Sequence, residues 1–260
     1  MSESEPKKNS ELITSDYSIE SVVEQNASFV GGVRLLQALF PEVSRKHLES
    51  YGEYFIKIEK EQMYPDRFFF LVAKDKNGRV VGVSVFNYLD RPSESINTDR
   101  NGVIYLEYIG VHPTVGRTRL GSRLFWESVN LVINEGYKPS AVLAEVVKAD
   151  PQIPALGEET VNDRLKFFSR LGARILSGID YKIPTYRHQG EIPAILLIRT
   201  LDSDVRVDLW FVRAIIYALV YDVFRYDGEI SEERAEETYS SIIGSIDRQN
   251  LRLVDPLNRS

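Results

Sequence analysis

The chain has 260 residues, 43% of them hydrophobic and 27% charged, with a formal net charge of −6, a composition ordinary for a globular protein with a sizeable core. The acidic balance argues against a general nucleic-acid-binding surface and suits a cationic, amine-bearing partner. With 0 cysteines there is no disulfide, thiolate nucleophile or cysteine-ligated metal, and His47, His112 and His188 lie too far apart for a ligand spacing, so no metal is expected.

Residues 1–16, "MSESEPKKNSELITSD", are polar with no apolar run, which predicts a disordered tail rather than a secretory signal and makes a cytoplasmic protein the expectation. "YSIESVV" (17–23) then reads as a strand, followed by two helices, "FVGGVRLLQALFP" and "EVSRKHLESYGEYFIKIEKEQ", with Pro41 between them. "RFFFLVAK" and "VVGVSVFNYL" are strands joined at Asp75–Arg79, a hairpin signal because Asn77-Gly78 tolerates positive φ. A polar loop over 90–102 leads into a strand carrying "YLEYIGV", and a helix runs from about Arg119 to Asn134, ending near Gly136. "AVLAEVV" (141–147) is a strand, "TVNDRLKFFSRLG" a helix stopped by Gly172, and "ARILSGIDY" and "IPAILLIRT" are two further strands.

From about residue 203 the pattern reads as purely helical. "VRVDLWFVRAIIYALVYDVFRY" (205–226) is apolar around most of its circumference, but Asp208, Arg213 and Asp222 argue against a membrane span. It needs burial on more than one side, and both packing on its own domain and a homodimer interface answer that need. Ser231 is placed to cap the helix that follows.

Three consecutive strands before the middle helix predict an α/β (α+β) architecture, a mixed, largely antiparallel sheet with helices on its faces. A doubly wound dinucleotide fold would alternate strand and helix more strictly and would carry a Gly-x-Gly-x-x-Gly fingerprint, which is absent. The expected divisions are the tail (1–16), the main domain (17–202) and a C-terminal helical extension (203–260).

The segment "VHPTVGRTRLGSRLFW" (111–126) is a strand-to-helix turn, where backbone N–H groups and the helix dipole favour an anion. Arg117, Arg119 and Arg123 crowd this helix start although basic side chains are unfavourable there, so an anionic partner is expected.

The element order and this turn resemble the GCN5-related N-acetyltransferase (GNAT) family. That family's signature, Gln/Arg-x-x-Gly-x-Gly/Ala, follows a strand ending in Val-x-Pro; Val111-His-Pro113 fits the strand end and Gly121 the final glycine. Gly116 stands where Arg or Gln is usual, and Arg119 where the first glycine is usual. "FFSRLGA" (167–173) is similar to the family's Phe-Tyr-x-x-x-Gly-Phe, with Phe168 at the tyrosine position. The resemblance covers roughly residues 17 to 200.

It implies acetyl-CoA as co-substrate and an N-acetyltransferase with a GNAT-like fold. The backbone of Arg117, Thr118, Arg119, Leu120, Gly121 and Ser122 would hold the pyrophosphate, and Ile109 and Val111 would pair with the pantetheine arm as a pseudo-strand. Acetylating an amine requires a proton acceptor. Glu107 is the first expectation, as a glutamate on the strand before the turn sharing a face with Ile109 and Val111; Glu145, on a strand expected across the same cleft, is the second. Tyr108, Tyr181 and Tyr186 are conceivable proton donors to the leaving thiolate, and His112 reads as a loop-edge residue. Without a cysteine to carry the acyl group, direct attack by the amine in a ternary complex is the expected route. The acceptor's identity stays open. Two other readings are a CoA-binding module without catalysis and an interaction protein using the C-terminal helix.

Overall fold

A computed structural model of the chain describes residues 16–41, 48, 51–53, 67–90, 102–116, 118–149, 157–184, 190–203, 205–225 and 230–257. β1 (Tyr17–Val22) leads into α1 (Ala27–Leu39), which Asn26 opens by accepting the amides of Ser28 and Phe29 on its side-chain oxygen at 2.9 and 3.1 Å. β2 (Arg67–Asp75) and β3 (Val80–Leu89) form the expected hairpin. Asp75 accepts the amides of Asn77 and Arg79 at 2.8 and 3.0 Å, and Gly78 takes a φ of +75°. β4 (Gly102–Val111) is followed by a short turn (Pro113–Val115), α2 (Leu120–Asn134), β5 (Pro139–Val147) and α3 (Glu158–Arg170). Both α2 and α3 stop where foreseen, with Gly136 and Gly172 in the left-handed region at φ +92° and +80°. The predicted helix over 42–62 falls largely outside the described residues.

β6 (Arg174–Ser177), β7 (Lys182–Pro184) and β8 (Glu191–Thr200) come next, then α4 (Leu209–Tyr217), which widens into a π-helical turn (Ala218–Phe224). Ser231 caps α5 (Glu232–Gly244) by accepting the Arg234 amide at 3.2 Å. The tail is not purely helical. β9 (Arg252–Val254) returns to the sheet and pairs antiparallel with β6, a contact between segments so distant in sequence that no local periodicity announces it.

Among the described residues the sheet holds nine strands in the order β1-β2-β3-β4-β5-β8-β6-β9, with β7 paired to β8. β4 and β5 run parallel, and the other pairs are antiparallel, as expected for a mixed sheet. Alternation along the strands divides the core. Ile104, Leu106, Val142 and Ala144 pack with α2 and α3 on one face. Tyr105, Leu143 and Ile198 pack on the other face with Phe211, Ile215, Leu219 and Phe224 of the α4 segment, while α1 covers Phe70, Val83 and Val85 beside them. Phe211, Ile215, Leu219 and Phe224 of the apolar 209–224 segment are thus buried within their own chain, while Trp210 and Tyr217 on the same segment are exposed. No helix among the described residues is long and apolar enough to cross a membrane.

Candidate active site

The parallel pairing of β4 with β5 stops at Leu106 and Ala144. At the next residue the β3–β4 register slips: Phe86 pairs with Leu106 and Val85 with Tyr108, leaving Glu107 as the extra residue of a β-bulge. A bulge bends its strand and increases the twist. Beyond it β4 stays with β3 while β5 stays with β8, where Glu145 pairs with Leu196, so the two strands part like a fork. Their facing edges open into a cleft of about 1120 Å³, walled by Leu106 to Val111 and Glu145, by the start of α2, and by one side of α3. Ile109 and Val111 lie on the open stretch of β4 and line the cleft.

Both predicted carboxylates line this cleft, but one part of the sequence reading needs correction. Glu107 does not share a face with Ile109 and Val111. Those two pack toward α2 and α3, whereas Glu107 Oε1 accepts a hydrogen bond from Tyr51, which belongs to the core under α1. The bulge is the cause, because one inserted residue shifts the two-residue alternation of everything after it.

Glu145 is held by two phenols. Tyr105 donates to Oε2 at 2.9 Å, and Tyr181 donates to Oε1. Burial pushes the Glu145 carboxyl up to about 7, with the two tyrosine bonds opposing the rise and the Glu107 charge adding to it. Tyr181 is itself buried, and its hydroxyl is pushed well above the usual range by that burial and by Glu145, so it is a poor proton donor to a leaving group. Tyr108 does line the cleft; Tyr186 lies outside the described residues.

At the other end, the first-turn amides of α2 belong to Leu120, Gly121 and Ser122; the intrahelical ladder begins with the Arg123 amide on the Arg119 carbonyl at 3.0 Å. All three residues line the cleft, and the Leu120 side chain turns inward to the core. Arg119 occupies the N-cap with φ +60° and ψ 11°, the one non-glycine residue with positive φ among those described, and it makes no side-chain cap bond. The backbone conformation thus explains why glycine is usual at that motif position. Gly116 has φ 65° and ψ −154°, a combination confined to glycine, at the corner between β4 and α2. Gly121 has a packing reason as well, since a Cβ there would lie 3.1 Å from Cε2 of Phe167 on α3.

The two described arginines of the basic turn separate. Arg119 lines the cleft, and Arg117 lies outside the described residues. Arg123 turns away: it donates to the Tyr17 carbonyl at 3.1 Å, so it does not contribute to an anion site in the cleft. Thr118 is exposed and is not among the lining residues. His112 caps the short turn that follows β4, its Nδ1 lying 2.7 Å from Thr114 Oγ1, as a loop-edge residue should.

Sequence reasoning missed one wall. Arg164, Lys166 and Arg170 of α3 line the cleft, with Lys166 3.0 Å from Asp163 and the Arg164 guanidinium 5.1 Å from the Phe40 ring centroid. Basic residues on an amphipathic helix look like a solvated face until the helix is seen beside a cavity. Phe168 lines the same wall at the family's tyrosine position and carries no hydroxyl.

The family model described as "Acetyltransferase (GNAT) family" matches residues 25–155. No curated protein matches the sequence. Among solved structures the chain is similar to an acetyltransferase of that family from Desulfovibrio desulfuricans, at 15% identity and TM-score 0.47, covering 72% of this chain and 99% of that one. It is also similar to a GNAT acetyltransferase from Elizabethkingia anophelis with acetyl-CoA bound, at 14% identity and TM-score 0.43, covering 72% and 99%. A third is Arabidopsis thaliana Naa50 in complex with a bisubstrate analogue, at 15% identity and TM-score 0.44, covering 72% and 100%.

Proposed function

Because the chain belongs to the GNAT acetyltransferase family, we propose that it moves the acetyl group of acetyl-CoA directly onto an amine. The observation that carries this reading is the fork: β4 and β5 part after Leu106 and Ala144, with a carboxylate on each strand at the opening. The residues present fit the co-substrate. Free amides at the start of α2 suit a pyrophosphate, and the open edge of β4 at Ile109 and Val111 suits an extended amide-bearing arm. Gly121 leaves the approach to those amides clear.

In this reading the amine nitrogen forms a bond to the thioester carbon, the C–S bond breaks, and the nitrogen loses a proton. Glu145 is the proposed acceptor of that proton, since a base works best when its pKa lies near the working pH and Glu145 is pushed up to about 7. Glu107, ranked first from the sequence, stands beside it and completes the acidic end of the cleft. Tyr108, which lines the cleft on β4, is the proposed donor to the departing sulfur.

The test is thiol release from acetyl-CoA across a panel of amines, followed with a thiol-reactive dye; the protein has 0 cysteines and gives no background. Native-state binding of acetyl-CoA should also raise the melting temperature. Release with an amine supports the proposal. A melting shift without release from any amine leaves a CoA-binding module, and neither effect at millimolar ligand overturns the reading altogether.

A further inference from the structure

The two faces of the sheet meet at the fork. Beyond the bulge on β4, Ile109 and Val111 pack on the side of α2 and α3, while Tyr108 packs on the other side with Leu39 and Phe40 at the end of α1. The Phe40 ring rests on the open stretch of β4. Its centroid is 5.2 Å from that of Tyr108, and its Cε2 is 3.5 Å from where a Cβ on Gly110 would stand. Arg164 starts from the opposite face, on α3, whose Leu165 and Phe168 belong to the core with Ile109. Its guanidinium nonetheless lies over the Phe40 ring, 5.1 Å from the centroid. Lys166, by contrast, stays on α3, 3.0 Å from Asp163. Arg164 thus joins the two faces through the gap that opens where the β4–β5 ladder ends at Leu106 and Ala144.

Resting on the acetyl-CoA reading, we propose that this bridge is a gate: Arg164 holds the fork shut in the unliganded protein, and the arm of the co-substrate must displace it from Phe40 to bind. An extended arm paired with the edge of β4 runs about 4.8 Å from that strand in the plane of the sheet. A side chain reaching from α3 to a ring that rests on Tyr108 and Gly110 crosses that line, so the arm and the guanidinium compete for one space. The contact has the right strength for a gate. A cation over an aromatic face is favourable enough to populate a closed state and weak enough for an incoming ligand to break. The affinity observed for the co-substrate is then reduced by the fraction of molecules whose gate is open.

Arg164 makes contacts besides this one, so the bridge is best broken from each side in turn. The experiment is calorimetric titration of the full chain and of three variants, Arg164→Met, Phe40→Leu and the two combined. Each is titrated with acetyl-CoA and with adenosine 3′,5′-bisphosphate, which carries nucleotide phosphates and no arm. Each single variant should bind acetyl-CoA about 3- to 10-fold more tightly than the parent. The double variant should gain no more than the better single one, because both substitutions remove the same contact. Phe40→Leu keeps the Arg164 charge, so its gain is not electrostatic, and the bisphosphate should not share it. Weaker acetyl-CoA binding in either single variant would make the bridge a clasp on the ligand or Arg164 a phosphate partner, and would overturn the gate. Unchanged affinity, gains that add in the double variant, or an equal gain with the bisphosphate would overturn it too. A parent that binds acetyl-CoA beside variants that gain nothing sinks the gate alone; no binding by any of the four proteins sinks the acetyl-CoA reading with it.

Discussion

The Tyr181 hydroxyl donates to Oε1 of Glu145, joining the cleft to the core beneath the C-terminal helices. Tyr181 lies beyond the residues matched by the family model and is buried with Phe211, Ile215 and Leu219 of the α4 segment. The C-terminal extension thereby holds the phenol that holds the cleft carboxylate.

Changes around Glu145 should move the acid limb of the pH dependence of kcat/KM in opposite directions. Tyr181 favours the ionised carboxylate, so Tyr181→Phe should raise the limb toward higher pH by roughly one to two units, the scale of one lost charge-assisted hydrogen bond. Glu107 disfavours ionisation, so Glu107→Gln should lower it, with acetyl-CoA affinity nearly unchanged. Glu145→Gln should remove the limb and most of the turnover. A limb that stays in place in all three variants would assign proton removal to water.

The same group makes a stability prediction. Glu145 is pushed up to about 7 from an ordinary 4.5, so the folded protein holds its proton more tightly than the unfolded chain does. That favours folding below about pH 4.5, and the advantage is lost as pH rises through about 7. Glu145→Gln, which never ionises, should therefore gain stability relative to the parent at pH 8 and not at pH 4, by on the order of 1–3 kcal/mol. Melting temperatures of both proteins across that range provide the check.

The turn before α2 should respond to substitution in a way its motif alone would not foretell. Arg119→Gly removes a left-handed non-glycine residue, so the unliganded protein should gain about 1 kcal/mol. Gly116→Arg restores the usual motif residue yet forces it into a glycine-only conformation, and should cost about 1–3 kcal/mol. Denaturant midpoints measure both. A stabilising Gly116→Arg would mean that the corner rearranges freely.

Among the described residues Arg119 is also the basic residue of the turn that reaches the cleft, which separates its backbone role from its charge. If the guanidinium binds phosphate, Arg119→Ala should weaken CoA and flatten the salt dependence of binding, with a loss of about 1–3 kcal/mol at low ionic strength. Dephospho-CoA identifies whether the 3′-phosphate is the partner. Wild-type affinity in Arg119→Ala at low salt would leave only the backbone amides in play.

Gly121→Ala should be tolerated only as far as Phe167 can yield, because the new methyl would lie 3.1 Å from Cε2 of that ring. Gly121→Glu should abolish the acetyl-CoA melting shift. The double variant Gly121→Ala with Phe167→Leu should recover stability relative to Gly121→Ala, since the smaller side chain vacates the contested space. Failure of that rescue would locate the glycine's purpose wholly at the ligand.

Much of this protein was determined locally. The three-strand run before α2, the Asn77-Gly78 hairpin, the glycine ends of α2 and α3, and the Ser231 cap follow from two- and 3.6-residue periodicities and from backbone preferences that neighbouring residues decide. Val111-His-Pro113 and Gly121 marked the α2 end of the cleft for the same reason: a strand-to-helix turn is a short-range object. What the tertiary structure decided was where side chains separated in sequence meet. The bulge at Glu107 depends on a register with β3 that no alternation within β4 reveals, and it turned Glu107 away from the face of Ile109. The basic side of α3, the pull of Tyr17 on Arg123, the return of β9 and the phenols on Glu145 all depend on long-range packing. The sequence supplied a carboxylate on each of two strands; parting the strands and burying one carboxylate among neutral donors is the work of the fold.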